Sequence, residues 1–210
     1  MSKKILSIFI IITIFLISIL VYPYLPEKII THWNSQGIAD GYMTRPYGLF
    51  LLPIISIILF FLFIILEKID PLIKKNKSFS KTYSSIILAL VLFLFYIHLL
   101  SILLNLGYRF NMLLMLIPVF SLMYFYIGVI LRTIKRNWFI GIRTPWTLSS
   151  DKVWEKTHKL GSKLFIISGI ITFFGIFFIK YSIWFILLPI IISAIILVVY
   201  SYLEFKKIKR

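Results

Sequence analysis

The sequence contains no cysteine, which excludes disulfides, thiolate metal sites, iron–sulfur clusters and cysteine nucleophiles. Acids are nearly as scarce: seven Asp and Glu stand against 23 Lys and Arg, for a net charge of +16. Charged residues of either sign make up only 14% of the 210 residues. A soluble domain carries roughly 25%, because its surface must face water. An ordinary soluble domain is thereby excluded. The residues present instead are 60% hydrophobic and 18% aromatic. A disordered chain is poor in these types, so disorder is excluded too. The basic excess could point to nucleic acid, but the apolar bulk points to a bilayer, where Lys and Arg collect in cytoplasmic loops. Direct nucleic-acid binding is not expected.

A helix crosses the hydrocarbon core with about 20 apolar residues. Uncharged runs of roughly that length occur at residues 5–25, 48–66, 84–104, 112–131, 164–179 and 182–203. The fifth is short and is expected to begin earlier, near Gly161. The first is longer than the apolar core of a signal peptide and ends in Tyr22-Pro23-Tyr24, not in a small-residue cleavage site, so it is read as retained. The expected fold is all-α: a multi-pass cell-membrane protein with six transmembrane helices in one membrane domain. Its N-terminal half, 1–108, carries an outer loop at 26–47. Its second half, 109–210, carries a long inner loop at 132–163.

The loops differ sharply in charge. With the N-terminus inside, the cytoplasmic segments hold Lys3 and Lys4, five Lys between the second and third spans, eight Lys and Arg in the long loop, and four in the tail, 19 in all. The outer segments hold only Lys28, Arg45, Arg109 and Lys180. This bias places both termini in the cytoplasm. The basic inner face would favour anionic head groups of the surrounding lipid bilayer, at about 1 kcal/mol per charge.

Within the spans no Asp, Glu, Lys or Arg lies at mid-membrane. Proton-coupled carriers usually place carboxylates there, and voltage sensors place arginines there, so both classes are disfavoured. His98 is the one ionisable group inside a span. It is read either as a neutral imidazole bonded to a neighbouring helix or, with Asn105 and Asn111 near the outer turn, as part of a polar ligand pocket. His32, His98 and His158 fall outside, within and inside the membrane, so they cannot converge on one metal. No cofactor, metal site or Ser-His-acid catalytic set is expected.

Two loops carry the remaining information. In the outer loop, Asn34-Ser35-Gln36-Gly37 and Ala39-Asp40-Gly41 read as tight turns. The aromatics Trp33, Tyr42 and Tyr47 suit the membrane–water interface. The loop is either an ordered connector or an extracellular recognition surface built on His32, Trp33, Asn34, Gly37, Asp40 and Gly41. In the inner loop, Pro145 pushes Thr144 to an extended conformation. Ser149 or Ser150 can cap a helix with Asp151 in its first turn. Val153, Thr157, Leu160 and Leu164 then share a stripe, and Glu155 and Lys159 form an i,i+4 pair. These features predict a cytoplasmic amphipathic helix running into the fifth span. Trp138, Trp146 and Trp154 fall in this one stretch. They serve either as an interfacial anchor or, since Trp and Arg are common binding anchors, as a docking surface for a cytoplasmic partner.

The inner stretch Asn137-Trp138-Phe139-Ile140-Gly141-Ile142-Arg143-Thr144-Pro145-Trp146-Thr147-Leu148-Ser149, followed by Val153-Trp154-Glu155-Lys156-Thr157-His158 and Gly161, resembles the signature of the SdpI family. The outer loop, with Pro26, His32-Trp33-Asn34, Gly37 and Asp40-Gly41, resembles the uncharacterised N-terminal domain commonly joined to it. The resemblance implies a membrane immunity protein that also acts as a receptor. Such a protein resists a secreted antimicrobial peptide toxin and holds a small helix-turn-helix repressor at the membrane. It assigns the outer loop to toxin sensing. It assigns Asn137, Trp138, Gly141, Arg143, Thr144, Pro145, Trp146, Trp154 and His158 to repressor docking. Two other classes stay open. Pro53, Pro118 and Pro189 interrupt three spans, and Gly128, Gly169 and Gly175 occur in the fourth and fifth, as in a permease for a hydrophobic peptide or lipid. His158 and Glu155, three residues apart, could act as a base pair in a lipid enzyme at the interface.

Overall fold

The computed structural model describes the backbone of residues 2–71 and 77–208 and the side chains of 2–71 and 80–208. Of the charges counted above, Lys74, Lys75, Lys209 and Arg210 lie outside the described residues, as does the side chain of Lys77. The chain runs α1 (Lys3–Val21), a 3-10 turn, β1 (Lys28–Trp33), β2 (Ala39–Thr44), α2 (Arg45–Ile69), α3 (Lys77–Asn105), α4 (Met112–Thr133), α5 (Pro145–Ser149), α6 (Asp151–Phe174), two 3-10 turns and α7 (Ser182–Ile208). Six of these helices, all but α5, are long and apolar enough to cross a membrane. They coincide with the six predicted spans. The fifth begins at Asp151, so the predicted helix of the inner loop and the fifth span are one element. Pro53, Pro118 and Pro189 lie inside continuous helices and break none of them. This is the tolerated-proline behaviour expected where neighbouring groups satisfy the freed carbonyls.

The chain divides into two compact units. The first comprises Met1–Glu67 and Tyr83–Leu116. Its apolar core joins Ile10, Ile11 and Ile14 of α1, Phe60 of α2, and Ile87 and Val91 of α3. A salt bridge of 2.8 Å from Lys4 to Glu67 ties the start of α1 to the end of α2. The loop at 26–47 forms a β-hairpin, which the sequence reading did not anticipate. β1 and β2 pair antiparallel from Lys28↔Thr44 to Trp33↔Ala39, with irregular register around His32. Ile29 packs at its root with Leu25, Leu49 and Ile102.

The second unit comprises Lys68–Thr82 and Ile117–Arg210. α4 and α6 cross at close range. The Ser121 hydroxyl donates to the Gly169 carbonyl at 2.8 Å, and a Cβ on Gly169 would sit 2.8 Å from the Ser121 carbonyl oxygen. Small residues at such a crossing let backbones approach where lipid offers no hydrophobic drive. α6 and α7 are joined by a Ser168–Ser193 hydroxyl pair at 3.1 Å and by the Thr172 hydroxyl donating to the Phe185 carbonyl at 2.9 Å.

Candidate functional site

In the second unit the signature stretch is a tightly bonded loop seated on the first turns of α6. Thr144 is extended (φ −110°, ψ 161°), as Pro145 requires. It caps α5 reciprocally with Thr147, whose hydroxyl also donates to the Ile142 carbonyl at 2.7 Å. The Thr144 hydroxyl reaches Ser201 of α7 at 3.1 Å. Ser150 caps α6, accepting the Val153 N–H with its hydroxyl, and Asp151 sits in the first turn. Arg136 donates to the Leu148 carbonyl at 2.8 Å and pairs with Asp151 at 2.8 Å.

Two side chains organise the turn before α5. Asn137 is fully buried. Its Oδ1 accepts the N–H groups of Phe139 and Ile140, and its Nδ2 donates to the carbonyls of Lys135 and Ile140. His158 is also buried. Its Nε2 accepts the Ile142 N–H at 3.0 Å, so the ring proton is on Nδ1, which donates to the Trp154 carbonyl at 2.9 Å. The ring stacks on Trp154 with centroids 3.9 Å apart, and the Trp154 Nε1–H donates to the Ile134 carbonyl at 2.9 Å. Gly141 passes above this pair at φ +112°, where a Cβ would lie 2.5 Å from His158 Nε2. Both imidazole nitrogens are therefore engaged in holding the loop.

The predicted docking residues thus separate. Asn137, Thr144, Trp154 and His158 are buried scaffold. Trp146 is half-buried, 5.1 Å from the Tyr202 ring. Trp138, Gly141, Arg143 and Pro145 are exposed. Trp138 is 50% exposed, its N–H held by the Asp70 carboxylate at 3.0 Å, and Arg143 donates to its carbonyl at 2.9 Å. Asp70 lay outside the sequence reading, because nothing local signals a partner 68 positions away. The Thr144–Thr147 cap was legible as Thr-x-x-Thr around Pro145 and was overlooked. Along α6 the buried face follows Val153, Trp154, Thr157, His158, Gly161 and Ser162, while Leu160 and Leu164 are half-buried. Among the described residues Glu155 and Lys159 form no ion pair. The neighbouring Lys156 instead pairs with Glu204 of α7, which also pairs with Lys207.

In the first unit the hairpin turn forms at Asn34–Ile38, as predicted for the first of the two turns. The Asn34 Oδ1 accepts the N–H groups of Gln36 and Ile38 at 3.0 Å each, and Gly37 supplies φ +75°. Ala39-Asp40-Gly41 is strand β2 and not a second turn. His32 and Asp40 are exposed and joined Nδ1 to Oδ1, Gly41 lies opposite His32, and Trp33 is half-buried. His98, Asn105 and Asn111 each have their own partner. The Ser18 hydroxyl donates to the Ile14 carbonyl, so the His98 Nε2–H donates to Ser18 at 2.9 Å. Asn111 donates to the Gln36 carbonyl at 2.7 Å.

Asn105 clamps β1: its Oδ1 accepts the Ile30 N–H at 2.7 Å and its Nδ2 donates to the Ile30 carbonyl at 3.1 Å. These Ile30 groups point away from β2, so the paired residue Tyr42 points its own N–H and C=O toward the far edge of β2. Among the described residues that edge has no strand neighbour.

Known proteins match the chain along its length. Residues 133–202 match the SdpI/YfhL protein family, and residues 9–57 match a domain of unknown function, DUF1648. The immunity protein SdpI of Bacillus subtilis (strain 168) is 30% identical over 209 residues, covering 99% of this chain and 98% of that protein. No solved structure matches. With six apolar helices and this likeness end to end, the chain is a multi-pass cell-membrane protein and belongs to the SdpI family.

Proposed function

We propose that this protein is a non-enzymatic membrane immunity and signalling protein that resists a secreted antimicrobial peptide. In this reading both termini and the signature loop are cytoplasmic, following the sorting of Lys and Arg. The hairpin lies outside and takes the peptide along the open edge of β2, where main-chain hydrogen bonds supply affinity. The signature loop presents Trp138, Arg143 and Pro145 to a small helix-turn-helix repressor. The carrying observation is the division of that loop into a fully bonded interior and an exposed Trp–Arg patch. The engagement of both His158 nitrogens supports a role in holding the loop rather than in proton transfer.

Expression in a toxin-sensitive host tests the immunity role. Survival on the cognate peptide should rise well above that of the empty host, and unchanged survival would refute it. The docking role predicts that Trp138→Ala with Arg143→Ala leaves the protein inserted and protective while membrane recruitment of the repressor is lost. Trp and Arg anchors typically contribute about 2 kcal/mol or more each. Recruitment that persists in this double variant removes the patch from the mechanism.

A further inference from the structure

A cleft of about 330 Å³ opens between the end of α4 and the first turns of α6. That volume is within the usual range of small-ligand sites, roughly 300–1,000 Å³. Its buried lining is mostly apolar, formed by Leu131, Ile134 and Trp154, with the His158 ring beside them. Its rim carries both signs of charge. Arg136 and Asp151 neutralise each other in their ion pair. Arg132 and Lys135, from the end of α4 and just beyond, remain with Glu155 from α6. All three are exposed, and none has an ion-pair partner among the described residues. The cleft adjoins Leu131 and Arg132, where the uncharged run of α4 ends, the level at which a spanning helix meets lipid head groups.

We infer that this cleft binds the head group of a zwitterionic aminophospholipid, with its phosphate on Arg132 and Lys135 and its ammonium on Glu155. Two unpaired cations suit a phosphate oxygen set. A carboxylate on the facing helix is unfavourable for a purely anionic head group and favourable for a primary ammonium, which offers three N–H donors. The mostly apolar lining suits the glycerol end of the lipid. This assignment is independent of the immunity role.

The test uses the purified full chain in detergent, with retention of defined lipids read by native mass spectrometry. Phosphatidylethanolamine should be retained about tenfold better than phosphatidylglycerol, the expected effect of one charge-assisted contact. Arg132→Gln with Lys135→Gln should lower phosphatidylethanolamine retention by about tenfold or more. Glu155→Gln should still bind lipid but lose the preference for phosphatidylethanolamine. Because Glu155 is exposed, this variant tests the idea even if the double variant does not fold. Soluble glycerophosphoethanolamine should displace the lipid where inorganic phosphate at equal concentration does not. Equal retention of the two lipids by the wild-type chain, an unchanged preference in Glu155→Gln, or equal displacement by inorganic phosphate overturns the assignment.

Discussion

Valine in place of Gly141 is expected to unfold the signature loop and to lower the thermal stability of the protein more than any change to its exposed neighbours Trp138, Arg143 and Pro145. The backbone there has φ +112°, a region that L-residues avoid. Holding a non-glycine residue in such a conformation costs about 1–3 kcal/mol. The new Cβ would also lie 2.5 Å from His158 Nε2 and 3.3 Å from the Trp154 ring. The imidazole cannot retreat without releasing the Ile142 N–H, a part-buried donor whose loss costs up to about 1–3 kcal/mol more. Together these approach the lower end of a typical net stability of about 5–15 kcal/mol. Thermal unfolding in detergent, followed by tryptophan fluorescence, should fall by about 10 °C or more. The collision is with one side chain, so His158→Ala should relieve part of it. The double variant Gly141→Val, His158→Ala should be less destabilised than the two single changes predict when added. A Gly141→Val protein that melts with the wild type would contradict the packing described for this loop.

Features fixed by neighbours in sequence were readable before the structure, and features fixed by distant partners were not. The spans are legible because twenty uncharged apolar residues in a row have one favourable environment. Thr144 before Pro145, Ser150 as a cap and the turn at Asn34–Gly37 are legible for the same reason, since each depends on residues within four positions. The hairpin was missed because its strands show no strict alternation: β1 buries Ile29 alone, and β2 is largely exposed. The β-branched run Ile29-Ile30-Thr31 ahead of the turn was the available signal. Asn137 and His158 looked like partner-binding residues because a motif marks which positions matter without saying which way they face. Only the arrival of Ile140, Gly141 and Ile142 over α6 reveals them as acceptors for the loop's own backbone. The Glu155–Lys159 expectation failed for a related reason. An exposed i,i+4 pair is worth only a few tenths of a kcal/mol. That is no more than the rotamer freedom two long exposed side chains lose in pairing, so the spacing alone does not hold them together.

Replacing Asn105 with leucine is expected to loosen the hairpin while leaving the second unit intact. The Asn105 amide does for Ile30 what a neighbouring strand would do, accepting its N–H and donating to its carbonyl. A two-stranded hairpin alone is marginally stable in water, so a third partner on one edge is a large share of its order. Leucine removes both bonds, at about 0.5–1.5 kcal/mol each where water can partly replace them. Amide hydrogen exchange over residues 28–44 should quicken by about tenfold or more, as expected when local opening becomes easier by about 1.4 kcal/mol or more. Exchange in α6 should stay unchanged. Asn105→Asp separates the two bonds. It keeps an acceptor for the Ile30 N–H but sets a second oxygen against the carbonyls of Ile30 and Ser101, which Nδ2 now serves. It should therefore loosen the hairpin nearly as much as leucine, despite its similar shape. If β2 takes the peptide along its open edge, both variants should also lose protection, because an edge is a template only while its strand is held straight. Normal exchange in both variants would show that the hairpin orders itself without Asn105. Normal protection with fast exchange would separate peptide resistance from the strand edge.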